Sequence, residues 1–121
     1  MWNQQREVKK YLEERGWTEN VPANLAKSIM IEGAELLEHF QWNHRPKEEV
    51  RKDPKLVKEI SHEMADIIIY ALDLSIALGI DLEKTVTEKL EIVKKKYPVK
   101  EVLHNSDAYY KIKKAYRAKK S

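Results

Sequence analysis

At 121 residues and 42% apolar content, the chain suits a single domain with a modest core and leaves little room for a second fold. The absence of cysteine excludes a disulfide framework and a thiolate zinc site. A net charge of +3 among 36% charged residues reads as a charged helical surface, so no nucleic-acid partner is expected.

In chain order, residues 3 to 15 read as a first helix with Val8, Tyr11 and Leu12 on one side and Gly16 as its stop. Its few apolar residues suggest a helix laid over a core made by others. Trp17 follows in the connection. Pro22 suits the first turn of a second helix, expected to run to about Asn43. Pro46 and the charged stretch Lys47 to Asp53 form a loop or short helical turn. Asp53-Pro54 then signals the cap and first residue of a third helix that Gly79 ends. A fourth helix spans about Leu82 to Lys96, with Asp81 as a cap and Pro98 as its limit, and Asn105 or Ser106 caps a last, basic helix. Six basic residues and no acid lie between Lys111 and Lys120, which reads as a solvated, fraying end. No stretch alternates with period two for long enough to be a strand, so the fold expected is all-α, an antiparallel four-helix-type bundle. The domain would cover residues 1–121, with a core over about 17–99 and a basic tail over about 105–121.

The apolar run around residues 64 to 80 is broken by Asp66 and Asp73, which excludes a membrane span; with a polar N-terminus, a cytoplasmic location is expected. Within that run, Ile67, Ile68, Ile69, Tyr70, Ala71 and Leu72 leave no polar face, a pattern that favours self-association, as dimer or tetramer.

Two helical seams carry acids where apolar residues belong. Leu56, Ile60, Glu63, Ile67, Tyr70, Leu74 and Ala77 alternate by four and three, the spacing of one packed helix face, and Glu63 takes a core position. Leu25, Ile29, Glu32, Leu36, His39 and Asn43 repeat the pattern with Glu32 inside. Each inward acid has a partner three residues on, Asp66 and Glu35, on the same flank of its helix. Four carboxylates facing one another repel and lose hydration, so they call for a cation or for protons. A hard divalent metal fits best. Lysine pairing, from Lys27 or Lys89, is the bland alternative. A di-iron scheme through Glu59-x-x-His62 and Glu101-x-x-His104 ranks lower, because His62 turns away from the seam and Glu101 and His104 follow Pro98 in a stretch without helical periodicity. Phe40 reads as a core aromatic. Trp42, two turns past Glu35 on the expected helix, is placed to wall a flat ligand. Lys94, Lys95 and Lys96 with Tyr97 form a helix end that could bind phosphate.

Glu32-x-x-Glu35, a gap of 27 residues, and Glu63-x-x-Asp66 resemble the signature of the MazG-like all-α nucleoside triphosphate pyrophosphohydrolases. Pro22-Ala-Asn-Leu-Ala, Glu32 through Trp42, Leu78-Gly-Ile-Asp-Leu82 and Lys95-Lys-Tyr-Pro98 extend the likeness, which is nearer to the dCTP pyrophosphatase branch and covers roughly residues 17 to 99. The resemblance implies hydrolysis of a nucleoside triphosphate, a pyrimidine deoxynucleotide or one with a modified base, to monophosphate and pyrophosphate in nucleotide-pool cleaning. It implies Mg²⁺, or Mn²⁺, held by Glu32, Glu35, Glu63 and Asp66, which would also be the catalytic residues. Trp17 and Trp42 would line the base pocket, and Lys89, Lys96 and Tyr97 would approach the phosphates. The physics agrees, since magnesium prefers oxygen ligands and bridges phosphates. Two departures stand out: Val93 replaces a usual Asn, and Asn20 and Ala23 replace a His and an Arg common in that branch. A non-catalytic nucleotide-binding or interaction module with the same metal site is the rival reading.

Overall fold

The computed structural model describes residues 1–120. Among them are seven helices and no strand: α1 (Asn3–Glu14), α2 (Pro22–Glu38), α3 (Lys47–Arg51), α4 (Pro54–Ala77), α5 (Leu82–Lys96), α6 (Val99–Val102) and α7 (Ser106–Lys120). Contacts divide the chain into two compact units, residues 1–82 and residues 83 onward.

The first unit is built on the pair α2 and α4, with α1 and α3 packed on α4. The pair is antiparallel: Asn20, just before α2, meets Asp73 late in α4, while His39, just after α2, meets Glu59 and Glu63 early in α4. Leu12, Leu25 and Leu72, one each from α1, α2 and α4, are the buried apolar residues of this unit's core. Local signals set the helix ends. Asp53 accepts the Leu56 N–H at 3.1 Å and Pro54 takes the first turn of α4. At the other end Gly79, at φ +68°, lets the Ile80 N–H reach the Ser75 carbonyl at 2.8 Å. Gly16 does the same for α1, where Trp17 N–H donates to Leu12 at 2.8 Å. Both closures need the left-handed backbone that glycine adopts at least cost. Helix α1 does lie over the others, and Gln5 secures it: its amide donates to the Ile80 carbonyl at 2.7 Å and its oxygen accepts the Leu82 N–H at 3.1 Å.

Helix α2 is shorter than expected. It stops at Glu38, not near Asn43, because residues 39 to 45 tighten into turns: Phe40 N–H donates to Leu37, and the Asn43 side chain accepts from the Arg45 N–H at 3.0 Å. An Asn that bonds the backbone two residues on competes with the helix, and Pro46 follows. The short helical turn between the long helices is α3, and the fourth long helix has the expected bounds.

In the second unit α6 packs on α7. Residues around Glu101, expected to lack helical order, form the short α6, with His104 beyond it at φ +57°. The Asn105 side chain accepts the Ala108 N–H at 3.1 Å and so starts α7. The basic tail is not a frayed end. It is helical to Lys120, Tyr109 stacks on Tyr97 at 4.9 Å, and Tyr116 lies under the Lys96 ammonium at 4.6 Å.

Candidate active site

The antiparallel packing of α2 and α4 brings Glu32, Glu63 and Asp66 together, with one carboxylate oxygen from each within 4.8 Å of the others. Oxygen ligands about 2.0–2.5 Å from a hard divalent cation lie at most about 4–5 Å apart, so the spacing suits one such ion. One oxygen each of Glu32 and Glu63 is buried without a hydrogen-bond partner. Unmet buried acceptors are costly, and a cation would satisfy both at once.

Burial pushes the Glu32 carboxyl up to about 7, reinforced by its hydrogen bond to Glu35 and by the charges of Glu35, Asp66 and Glu63. Glu35 therefore stands beside the cluster, coupled to it through Glu32, and is outside the group of three whose oxygens converge. Lys27, the local lysine that could have neutralised the seam, makes no ion pair with these acids among the described residues. His39 touches it instead, with Nε2 3.6 Å from Glu63 and Nδ1 3.8 Å from Glu59. The seam pattern placed His39 facing α4 but offered no role for it. His62 is exposed and takes no part in the cluster, so the di-iron arrangement is not formed here.

Beside the cluster opens a cavity of about 780 Å³, walled by Tyr11, Leu12, Trp17, Leu25, Ile69 and Tyr70, with Glu7, Asn20, Asn24, Ser28, Asp66 and Asp73 as its polar lining. Its size is that of a small-molecule pocket. Trp17, packed edge-on against Tyr11 at 5.9 Å, stands in this wall. Asp66 belongs to both the carboxylate cluster and the cavity lining, so the two adjoin at that residue. Asp73 is the residue that motif reasoning missed. It is 8% exposed, and burial pushes its carboxyl up, opposed by the Asn20 amide at 3.3 Å. The signal for it was an acid inside an apolar helical run, which the sequence reading used only to exclude a membrane span.

Trp42 lies elsewhere than the spacing argument required. With α2 ending at Glu38 it is not two turns along the same helix from Glu35, and it is 87% exposed. Lys89, Lys96 and Tyr97 belong to the second unit. There the Lys96 ammonium sits over the rings of Tyr97, at 5.2 Å, and Tyr116, and Tyr97 stacks on Tyr109.

The MazG-like family profile matches residues 27–112. The chain belongs to the MazG-like family. Its carboxylate cluster falls inside the matched span, as do α4 and α5. Among curated proteins it is similar to dCTP pyrophosphatase 1 of Bos taurus, with 33% identity over 90 residues, 71% of this chain and 52% of that protein. For dCTP pyrophosphatase 1 of Rattus norvegicus the identity is 31% over 88 residues, with the same coverage of 71% and 52%. The chain thus spans about half the length of the curated relatives it matches. Among solved structures it is similar to a pyrophosphatase from Archaeoglobus fulgidus, with 36% identity, a TM-score of 0.67, and coverage of 81% of this chain and 95% of that one. No helix among the described residues is long and apolar enough to cross a membrane.

Proposed function

We propose that this MazG-like chain is a Mg²⁺-dependent nucleoside triphosphate pyrophosphohydrolase, cleaving a (deoxy)nucleoside triphosphate to the monophosphate and pyrophosphate. The observation that carries the reading is the convergence of Glu32, Glu63 and Asp66 with two buried oxygens unpartnered, at the side of a cavity large enough for a nucleoside. The relatives named for dCTP and pyrophosphate chemistry support it.

Glu32, Glu63 and Asp66 would hold the ion, with Glu35 completing the acidic set. When bound, a divalent ion supplies charge to the phosphate oxygens and makes a water more acidic, and Mn²⁺ could serve in place of Mg²⁺. Glu35, exposed and beside Glu32, would take the proton of the attacking water at its carboxylate. Trp17 and the neighbouring rings give the base an apolar wall and exclude water from it. Trp42, exposed and outside the cavity wall, has no part in this reading. Lys89, Lys96 and Tyr97, in the second unit, carry the charges and the hydroxyl that phosphate binding uses.

The functional particle is a homo-oligomer, dimer or tetramer. Met30, Leu37, Met64, Ile68 and Ile69 on α2 and α4 are left open to solvent in one chain, an apolar surface that a second copy would cover. The site is cytoplasmic, in keeping with a cysteine-free chain that carries out nucleotide-pool cleaning.

The test is a screen of common and oxidised nucleoside triphosphates with Mg²⁺, following pyrophosphate and monophosphate together. Stoichiometric release of both is expected, abolished by EDTA. Nucleotide binding without turnover of any of them overturns the hydrolase reading in favour of a nucleotide-binding module.

A further inference from the structure

The cavity beside the carboxylate cluster has an unusual polar lining. Among the described residues, no lysine, arginine or histidine borders it, whereas Glu7, Asp66 and Asp73 do. Asp66 is committed to the cluster. Asp73 lies seven residues further along α4, which is two helical turns and about 10 Å along the axis. That is roughly the span between the phosphates and the base of a nucleotide. The two acids thus stand about two helical turns apart in the lining of one ligand-sized cavity.

The surroundings of Asp73 define what it can bind. Asn20 spends its amide hydrogens on the Trp17 carbonyl at 3.2 Å and on Asp73 Oδ2 at 3.3 Å, which leaves the Asn20 carbonyl as an acceptor. Ser28 donates its hydroxyl to the Asn24 carbonyl at 3.0 Å. No basic group faces Asp73 in the cavity, and the single amide is a long hydrogen bond for a carboxylate with several acceptor positions. This wall offers acceptors, and a ligand that matches it must bring N–H donors.

We infer that Asp73, held by Asn20, reads the base of the substrate and selects one that presents an exocyclic amino group over one that presents a carbonyl oxygen at the same position. The inference rests on the nucleotide reading proposed above and adds the residue that determines specificity. An amino group donates to the carboxylate, while a carbonyl oxygen in its place meets a negative charge with no proton between them. Cytosine against uracil or thymine is the cleanest comparison, because it exchanges N–H₂ for C=O on the same ring. The Trp17, Tyr11 and Tyr70 rings hold either base by stacking and apolar contact, so the discrimination falls to the acid.

The experiment measures kcat/KM for dCTP, dUTP and dTTP with Mg²⁺, together with calorimetric binding of dCMP, dUMP and dTMP, for the wild type, Asp73→Asn and Asp73→Ala. The wild type should favour the amino-bearing member by roughly 5- to 150-fold in both readouts, the discrimination expected of a good base-edge contact. Asp73→Asn, which can donate as well as accept, should bring the ratio close to one or reverse it. Asp73→Ala should bring it close to one. Thermal melts verify that each variant is folded, and the second substitution serves if the first is not. An unchanged ratio in a folded variant overturns the inference and makes Asp73 a structural latch for Asn20, while leaving the hydrolase reading intact. Absence of turnover with every nucleotide, combined with tighter dCMP than dTMP binding that Asp73→Asn abolishes, has the opposite meaning: the base reader stands and the hydrolase reading falls.

Discussion

The acidic seam of α2 and α4 and the basic stretches at the end of α5 and along α7 each gather like charge and dispose of it in opposite ways. In the basic stretches, cations on α5 and α7 find aromatic faces in their own unit: Lys96 over Tyr97 and Tyr116, Lys113 over Tyr109 at 5.7 Å. Solvent and the ring quadrupoles satisfy these charges where they stand. In the seam, carboxylates converge from two helices to within 4.8 Å, and His39 touches just one member of the cluster. Among the described residues no cation pairs with the rest. Like charge dispersed over a surface is compatible with a finished structure, whereas like charge gathered between two helices leaves a site that a ligand must complete.

The sharpest way to break the contrast is to remove one seam acid. Glu63→Gln should cut turnover at least about 10²-fold, the scale of losing a group that stabilises charge in a transition state. The same change should raise the melting midpoint of the EDTA-treated protein, because repulsion of Glu32 and Asp66 is relieved. A lower metal-free midpoint would show that the acids are stabilising one another through a partner other than a cation. The wild type itself should gain several degrees on addition of millimolar Mg²⁺, since an ion that binds the folded state alone stabilises it. An equal concentration of Na⁺ should give no such gain.

Acidity offers a second probe. The Glu32 carboxyl is raised in the folded protein from an ordinary 4.5 to about 7, so protonation favours folding. Its contribution is complete below the unfolded value and is lost as pH climbs through about 7. Without metal, the melting midpoint should therefore fall between about pH 5 and pH 8. Glu32→Gln should flatten that slope, and saturating Mg²⁺ should reverse it, because the ion binds the deprotonated acid. A metal-free midpoint that rises over the same interval would contradict the assignment.

A smaller effect is expected at His39, which sits between Glu59 and Glu63 and steadies the latter. His39→Ala should weaken Mg²⁺ affinity by roughly 10-fold, at the lower end of what outer-sphere partners of metal ligands contribute. His39→Gln should restore part of it, and calorimetric titration of the ion reads both without reference to turnover. Smallest of all is the tail. Lys113→Met removes one cation from an aromatic face and should cost under about 1 kcal/mol in stability. It should leave the Mg²⁺ response untouched, whereas an altered response would tie the tail to the seam.

Much of this organisation is local and is legible in the residues themselves. Asp53-Pro54, Gly16, Gly79 and Asn105 set helix ends through hydrogen bonds that span only a few residues, so their positions in the chain suffice to place them. The four-and-three spacing put Glu32 and Glu63 on inward faces because a helical repeat is a property of one segment. Where a side chain bonds outside the helical repeat, the reading failed. Asn43 ended α2 early by closing a turn on Arg45, and Trp42 went to the surface with it.

What the sequence by itself determined is therefore the all-α order, the helix limits set by caps and glycines, the acid pairs and the family signature that they carry. Tertiary structure decided which three of four acids share one point in space, that His39 and not a lysine reaches them, and that Asp73, Asn20 and Trp17 border a single cavity. The physical reason is distance along the chain. Asn20 and Asp73 are 53 residues apart, and no repeat within a helix encodes a contact that exists only when α2 and α4 lie antiparallel.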